Sequence, residues 1–333
     1  MLILFMLAML VVIVLAAEVF VNALEHLGER LKISEGVTGS LFAAVGTAMP
    51  ETMVPVLAIF AGTDNQTLNH EIGVGAILGA PLMLATFAMG LLTIVTLRSR
   101  GMGGLFTPEP TGIRRDLNFF LAAFSLAALA MFVPHDYPAV RLAIGMGLVL
   151  MYFIYILLTL RASAKLVENG HGTEAGKPML LTRLGLPPGM PVILVQMVLG
   201  LALLVAGAKG FIHGVEATAA WLGMSALLLS LIIVPIATEL PEKVNSVLWI
   251  RRRKDTLAFG NLTGAMVFQG TLLPAIGIML TPWDPRIEVL AGVLITLVGA
   301  LWLRVLLARG GLRVWHLAVN GGLYGVYLAI ALS

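Results

Sequence analysis

Glu51 and Glu242 each follow a proline and stand four residues after a threonine, in Thr47-Ala-Met-Pro-Glu51 and Thr238-Glu-Leu-Pro-Glu242. Both motifs interrupt apolar stretches, where a carboxylate is costly and a proline breaks the helical hydrogen-bond ladder. Proline has no N–H to give, so the carbonyls four residues back, those of Gly46 and Ala237, lose their helical partner. Thr47 and Glu51 share one helix face, as do Thr238 and Glu242. Each motif thus gathers a carboxylate, a hydroxyl and a freed carbonyl. Two such motifs facing each other make a site wholly of oxygen with two formal negative charges. Hard divalent cations prefer that chemistry, above all calcium with its six to eight oxygen ligands.

The elements that must position these residues follow from a duplication. Counting back from the two glutamates without a gap, Pro50 matches Pro241, Thr47 matches Thr238, Ser34 matches Ser225 and Glu25 matches Glu216. The chain is 59% hydrophobic and 12% charged, against roughly 25% charged for a soluble domain. It reads as an all-α integral membrane protein. Apolar runs of about 20 residues, the length that crosses a bilayer, fall near 2–24, 37–61, 72–97, 117–133, 140–160, 191–213, 223–250, 257–280, 287–308 and 314–332. Ten transmembrane helices, five per half, are predicted. Because five is odd, the second half enters the membrane upside down, giving two inverted five-helix repeats: residues 1–161, a cytoplasmic linker over 162–189, and residues 190–333.

Charge gives the orientation. Placing alternate loops on one side collects all but four of the 21 lysines and arginines there. Arg141 and Arg286 fall on the opposite side, and Lys209 and Lys243 within spans. The crowded side is cytoplasmic by the positive-inside rule, which puts both termini outside. The net charge of +3 then reflects topology, and nucleic-acid binding is not expected. No Lys or Arg precedes Arg30, so the first apolar run reads as a retained span rather than a signal peptide. The chain has no cysteine, hence no disulfide and no thiolate metal site. It also lacks His-Glu-x-x-His, Gly-x-Ser-x-Gly and Gly-x-x-x-x-Gly-Lys, which argues against an intramembrane enzyme and an ATP-driven pump.

The paired Gly-Thr-x-x-Pro-Glu pattern, followed in each half by a glycine-rich span, resembles the alpha repeats of the calcium:cation antiporter superfamily, which includes the sodium/calcium exchangers. The match is most specific in the second half, where Ile236-Ala-Thr-Glu-Leu-Pro-Glu242 precedes Ala258-Phe-Gly-Asn-Leu-Thr-Gly-Ala-Met-Val-Phe-Gln269. The resemblance implies a secondary antiporter that exchanges calcium, or a similar divalent cation, for sodium by alternating access, in a prokaryotic-type plasma membrane. It implies no tightly bound cofactor, only transported Ca2+ and Na+ or H+; the bilayer is the other partner, and a monomer is expected. Glu51 and Glu242 would be the calcium carboxylates, with oxygens from Thr47 and Thr238, and Gln269 stands where the family has Asn or Asp. Several positions depart from the pattern: Ala48 and Glu239 replace serines, as do Ala80 and Ala265, and Leu84 replaces an asparagine. These are oxygen donors of the family's sodium sites. The alternative is therefore a proton-coupled exchanger in which Glu51, Glu242 and Glu239 carry the protons. Glu239 and Lys243 are four apart with Glu first, the order that favours an intrahelical ion pair. Gly73, Gly75, Gly79, Gly260 and Gly264 recur at helical spacing and read as close packing between helices.

Overall fold

The structure is a computed structural model, describing residues 2–30, 49–167 and 178–333. The regular structure of the described residues is helical except for one pair of two-residue strands. The first half comprises α1 (Leu2–Arg30), α2 (Met49–Ala61), α3 (Gln66–Arg100), α4 (Pro110–Ala130) and α5 (Pro138–Val167). After the short α6 (Leu180–Arg183) come α7 (Met190–Leu222), α8 (Ala226–Thr238), α9 (Leu240–Arg251), α10 (Asp255–Leu280), α11 (Ile287–Ala308) and α12 (Val314–Ala331). Among the described residues, six helices are long and apolar enough to cross a membrane.

Burial separates inner helices from outer ones. The most apolar stretch of α3 is 78% buried and that of α10 is 72% buried, against 22% for α5 and 28% for α7. α3 and α10 therefore form the centre, while α5 and α7 turn broad apolar faces outward, as a lipid-facing helix must. α3 lies against α8, and α10 against α4, α5 and α9. Within α3, Leu84–Ala88 form a π-helical turn, and Thr86 donates back to the Leu82 carbonyl at 2.5 Å.

The close approach of α3 and α8 depends on two of the glycines read as packing positions. A Cβ at Gly75 would lie 2.6 Å from the Leu227 carbonyl oxygen, and one at Gly79 would lie 2.3 Å from that of Leu231. Gly260 and Gly264 behave differently: among the described residues a Cβ at the first meets nothing within 4 Å, and at the second only the Tyr155 hydroxyl at 3.8 Å. A further glycine row lies on α7, where Gly200, Gly207 and Gly214 meet Phe20, Ile13 and Met6 of α1. The seven-residue spacing on both partners keeps one seam in register along two antiparallel helices. One end of this pair is fixed by Gln196, which donates to the Val19 carbonyl and to Asn22 Oδ1 and accepts from the Leu181 N–H.

Two ionic clusters mark opposite ends of the bundle. At one, Arg100 makes a two-pronged bond to Asp255 at 2.6 and 2.8 Å and also reaches the Ile250 carbonyl. The Thr107 N–H adds a third bond to Asp255. Burial alone would push the Asp255 carboxyl up, but the bonds from Arg100 and Thr107 outweigh it and hold it below the usual carboxylate range. Beside this clasp, β1 (Leu105–Phe106) pairs antiparallel with β2 (Leu312–Arg313), Leu105 opposite Arg313 and Phe106 opposite Leu312. At the other end Arg286 bonds Glu71 at 2.6 Å, and Arg141 donates to the carbonyls of Ile278, Thr281 and Pro282.

Candidate cation site

The apolar run read as a single span over 223–250 is two helices. Thr238 ends α8, Leu240 begins α9, and Glu239 stands between them with φ −85° and ψ 7°. Pro241 in the first turn of α9 is the chemical reason, since it cannot donate to a carbonyl of the helix before it. Non-helical backbone at membrane depth is tolerated where it is enclosed by protein or lines a cavity, and here it is enclosed. Thr238 and Glu239 are fully buried, and Glu242 and Lys243 nearly so.

Across from this break sits Glu51 in the first turn of α2, 1% exposed. Glu51, Glu239 and Glu242 lie within mutual electrostatic reach, and Lys243 within reach of all three. Neither carboxylate oxygen of Glu51 has a hydrogen-bond partner among the described residues. Gln269, fully buried on α10, donates from Nε2 to Glu239 Oε1 at 2.7 Å, and its own Oε1 accepts no hydrogen bond from the described residues. The Thr238 hydroxyl donates to the Val234 carbonyl at 3.0 Å, which leaves its oxygen lone pairs on the site side of the bond count. Asn261 of α10 braces the break by donating to the Glu242 carbonyl and to Ser246 Oγ, both at 3.0 Å.

Glu51, Glu239, Glu242 and Gln269 are thus brought together with Thr238 and the Ala237 end of α8. Gly46 and Thr47, the first-half counterparts of Ala237 and Thr238, lie outside the described residues. Among the described residues no three acidic or imidazole side chains converge tightly enough to hold a metal ion by themselves. Ligation at this place needs backbone, hydroxyl or amide oxygens as well.

Lys243 meets one expectation in part, since it stands within electrostatic reach of Glu239. Instead of an intrahelical bond to Glu239, its Nζ donates to the carbonyls of Pro235 at 2.8 Å and Ile236 at 3.2 Å. The i, i+4 rule presumes one continuous helix, and Glu239 lies outside α9. The ammonium therefore turns back onto the carbonyl end of α8. It also stands 5.7 Å from the centre of the Phe87 ring, in the π-helical turn of α3.

A further buried carboxylate lies away from this site, with no signal in the sequence pattern. Asp116 on α4 accepts from Tyr155 of α5 at 3.1 Å and from Thr263 of α10 at 2.8 Å. The apolar run over 117–133 begins one residue after it. The helix starts at Pro110, capped by Glu109, and takes Arg114, Arg115 and Asp116 inside.

An apolar helical bundle that buries three carboxylates and an ammonium around a broken helix belongs to the class of membrane ion transporters. Residues 1–161 and 192–333 match the family described as sodium/calcium exchanger protein, and the chain belongs to that family, within the calcium:cation antiporter superfamily. Among its relatives, CaxA of Alkalimonas amylolytica is 28% identical over 295 residues, spanning 84% of this chain and 80% of CaxA. Among solved structures, the H+/Ca2+ exchanger CAX aligns with a TM-score of 0.70 at 18% identity, covering all of this chain and 82% of CAX. The sodium-calcium exchanger NCX_Mj aligns with a TM-score of 0.58 at 19% identity, covering 99% of each. Both likenesses show the fold.

Proposed function

We propose that this chain is a secondary antiporter that moves calcium, or a similar divalent cation, against a monovalent cation by alternating access between two inverted five-helix repeats. The observation that carries the reading is the burial of Glu51, Glu239 and Glu242 together at the α8–α9 break, one from the first half and two from the second. Transporter sites of this build lie where discontinuous helices of opposed repeats meet, and their half-helix ends and side chains hold the ions. Thr238, the Ala237 carbonyl and Gln269 supply neutral oxygens from the second half, and Thr47 and the Gly46 carbonyl supply them from the first.

Sodium is the counter-ion that the family resemblance implies. Protons are a second reading, favoured by Glu239: a third carboxylate, bonded through Oε1 to Gln269 while Oε2 has no hydrogen-bond partner among the described residues, replaces the serine hydroxyl that a sodium site would use. A proton can take over the charge a departing divalent ion leaves behind. Calcium efflux from vesicles containing the purified protein tests both. Efflux should require a counter-gradient and be lost in Glu51→Gln and Glu242→Gln, since the bound divalent cation then loses one of its opposite charges, which by analogy with truncating a buried ion pair costs about 3–5 kcal/mol of binding. Flux in either variant within twofold of wild type rejects the site. Efflux driven by an inward pH gradient at equal sodium assigns protons, and efflux driven only by a sodium gradient assigns sodium.

A further inference from the structure

We infer that Lys243 is a resident monovalent cation of the site, standing at backbone carbonyls that would otherwise hold a counter-ion, and that it sets the exchange at one divalent ion for two monovalent charges. The inference rests on the proposed function and specifies its charge balance.

Three observations carry it. The first is position. Nζ lies 2.8 and 3.2 Å from the carbonyls of Pro235 and Ile236, in the last turn of α8, whose C-terminal end carries the negative pole of the helix dipole. In transporters with broken helices, such half-helix C-termini are where a coupling cation binds. The second is enclosure. Lys243 is 4% exposed, so its charge is compensated by the protein and not by water, and intramembrane lysines persist only when paired with carboxylates or carbonyls. The third is company: the charged groups within its reach are Glu239, Glu242 and Glu51, while from α3 it meets the face of the Phe87 ring, which accepts a cation without adding charge.

The charge count follows. Three carboxylates and one ammonium leave the site with two negative charges. One divalent ion offsets these on the outward leg and two monovalent charges offset them on the return, so neither leg carries net charge through the bilayer. The lysine contributes the same charge on both legs. Without it the site holds three negative charges, and the return leg takes a third monovalent ion. A cycle that was neutral then moves one net charge.

The test is the equilibrium calcium distribution across vesicles containing the full-length protein, at a fixed counter-ion gradient, while a potential is imposed with potassium and valinomycin. Wild type should keep the same calcium ratio at every potential. Lys243→Gln and Lys243→Met should shift it tenfold per ~60 mV, the value for one net charge, whereas Lys243→Arg, which keeps the charge, should remain insensitive to voltage. A wild-type ratio that follows the potential overturns the inference and needs no variant to fold. Variants that exchange calcium yet ignore voltage as wild type does overturn it equally. Wild-type vesicles that carry no divalent ion under any gradient reject the proposed function itself, a result distinct from either of these.

Discussion

Gly79→Ala is a one-carbon wedge between α3 and α8, and its cost can be worked from the contact it meets. The added Cβ would sit 2.3 Å from the Leu231 carbonyl oxygen and 2.7 Å from Pro235 Cγ. Ordinary contact begins near 3.4 Å, so the helices must part locally by about 1 Å, because a close-packed interior has no slack to absorb a methyl group against backbone. Overpacking of this kind typically costs about 1–3 kcal/mol. The obstructed atoms lie one and two turns before the α8 break, so parting the helices also displaces the Pro235 and Ile236 carbonyls that hold Lys243. Two readouts are expected to move together. The temperature at which the detergent-solubilised protein loses its monodisperse peak should fall by several degrees, and calcium flux in vesicles should drop. Gly260→Ala is the matched control: the same substitution on α10, where no described residue lies within 4 Å of the new methyl. There, alanine should be neutral or stabilising by up to about 1 kcal/mol through its higher helix propensity. A Gly79→Ala protein as stable and active as the Gly260→Ala protein would refute the claim that the α3–α8 approach is set by these glycines.

Asp255→Asn should destabilise the protein by about 3–5 kcal/mol, because it leaves Arg100, whose side chain is 3% exposed, without its charge partner. The folded Asp255 carboxyl titrates below its unfolded value, so its contribution is present at neutral pH and is lost as pH falls through the folded value. Thermal stability measured from pH 7 down to pH 3 should decline in wild type and decline less in Asp255→Asn; parallel curves would remove Asp255 as the cause. Orientation is read directly because the chain has no cysteine of its own. With a membrane-impermeant thiol reagent outside intact cells, Gln66→Cys should label and Arg252→Cys should not, and the reverse pattern would invert the topology.

Much of the site was legible because duplication writes the same costly residues twice. Thr, Pro and Glu at one spacing in two apolar contexts single out Glu51 and Glu242 without any structure, and the alanine, leucine and glutamate substitutions around them draw attention to Glu239. Less visible were features that depend on partners far along the chain. Asp116 meets Thr263 across 147 residues, and no local pattern announces that pairing. The glycine row of α7 has a heptad spacing, but apolar helices carry many glycines, and only the facing residues of α1 distinguish a seam from a lipid surface. Gly260 and Gly264 share the spacing of packing glycines, yet among the described residues they meet little, so spacing alone does not tell which glycines bring helices together. Lys243 keeps Glu239 within electrostatic reach but bonds elsewhere for a local reason: the same proline that marks the site also ends the helix on which the i, i+4 rule depends.

The union of α1 with α7 has a consequence for how the protein is made. Asn22 and Gln196, bonded at the base of this pair, are 174 residues apart, so α1 leaves the ribosome long before α7 and cannot find its partner until those residues have followed. At about 5–20 residues per second that interval is roughly 10–35 s, during which the face of α1 destined for the α7 glycines lies against lipid or the insertion machinery. Lengthening or slowing synthesis between the two halves prolongs that exposure without altering a single contact of the finished protein, so yield in the membrane becomes sensitive to translation speed in a stretch of the message that encodes no part of the ion site.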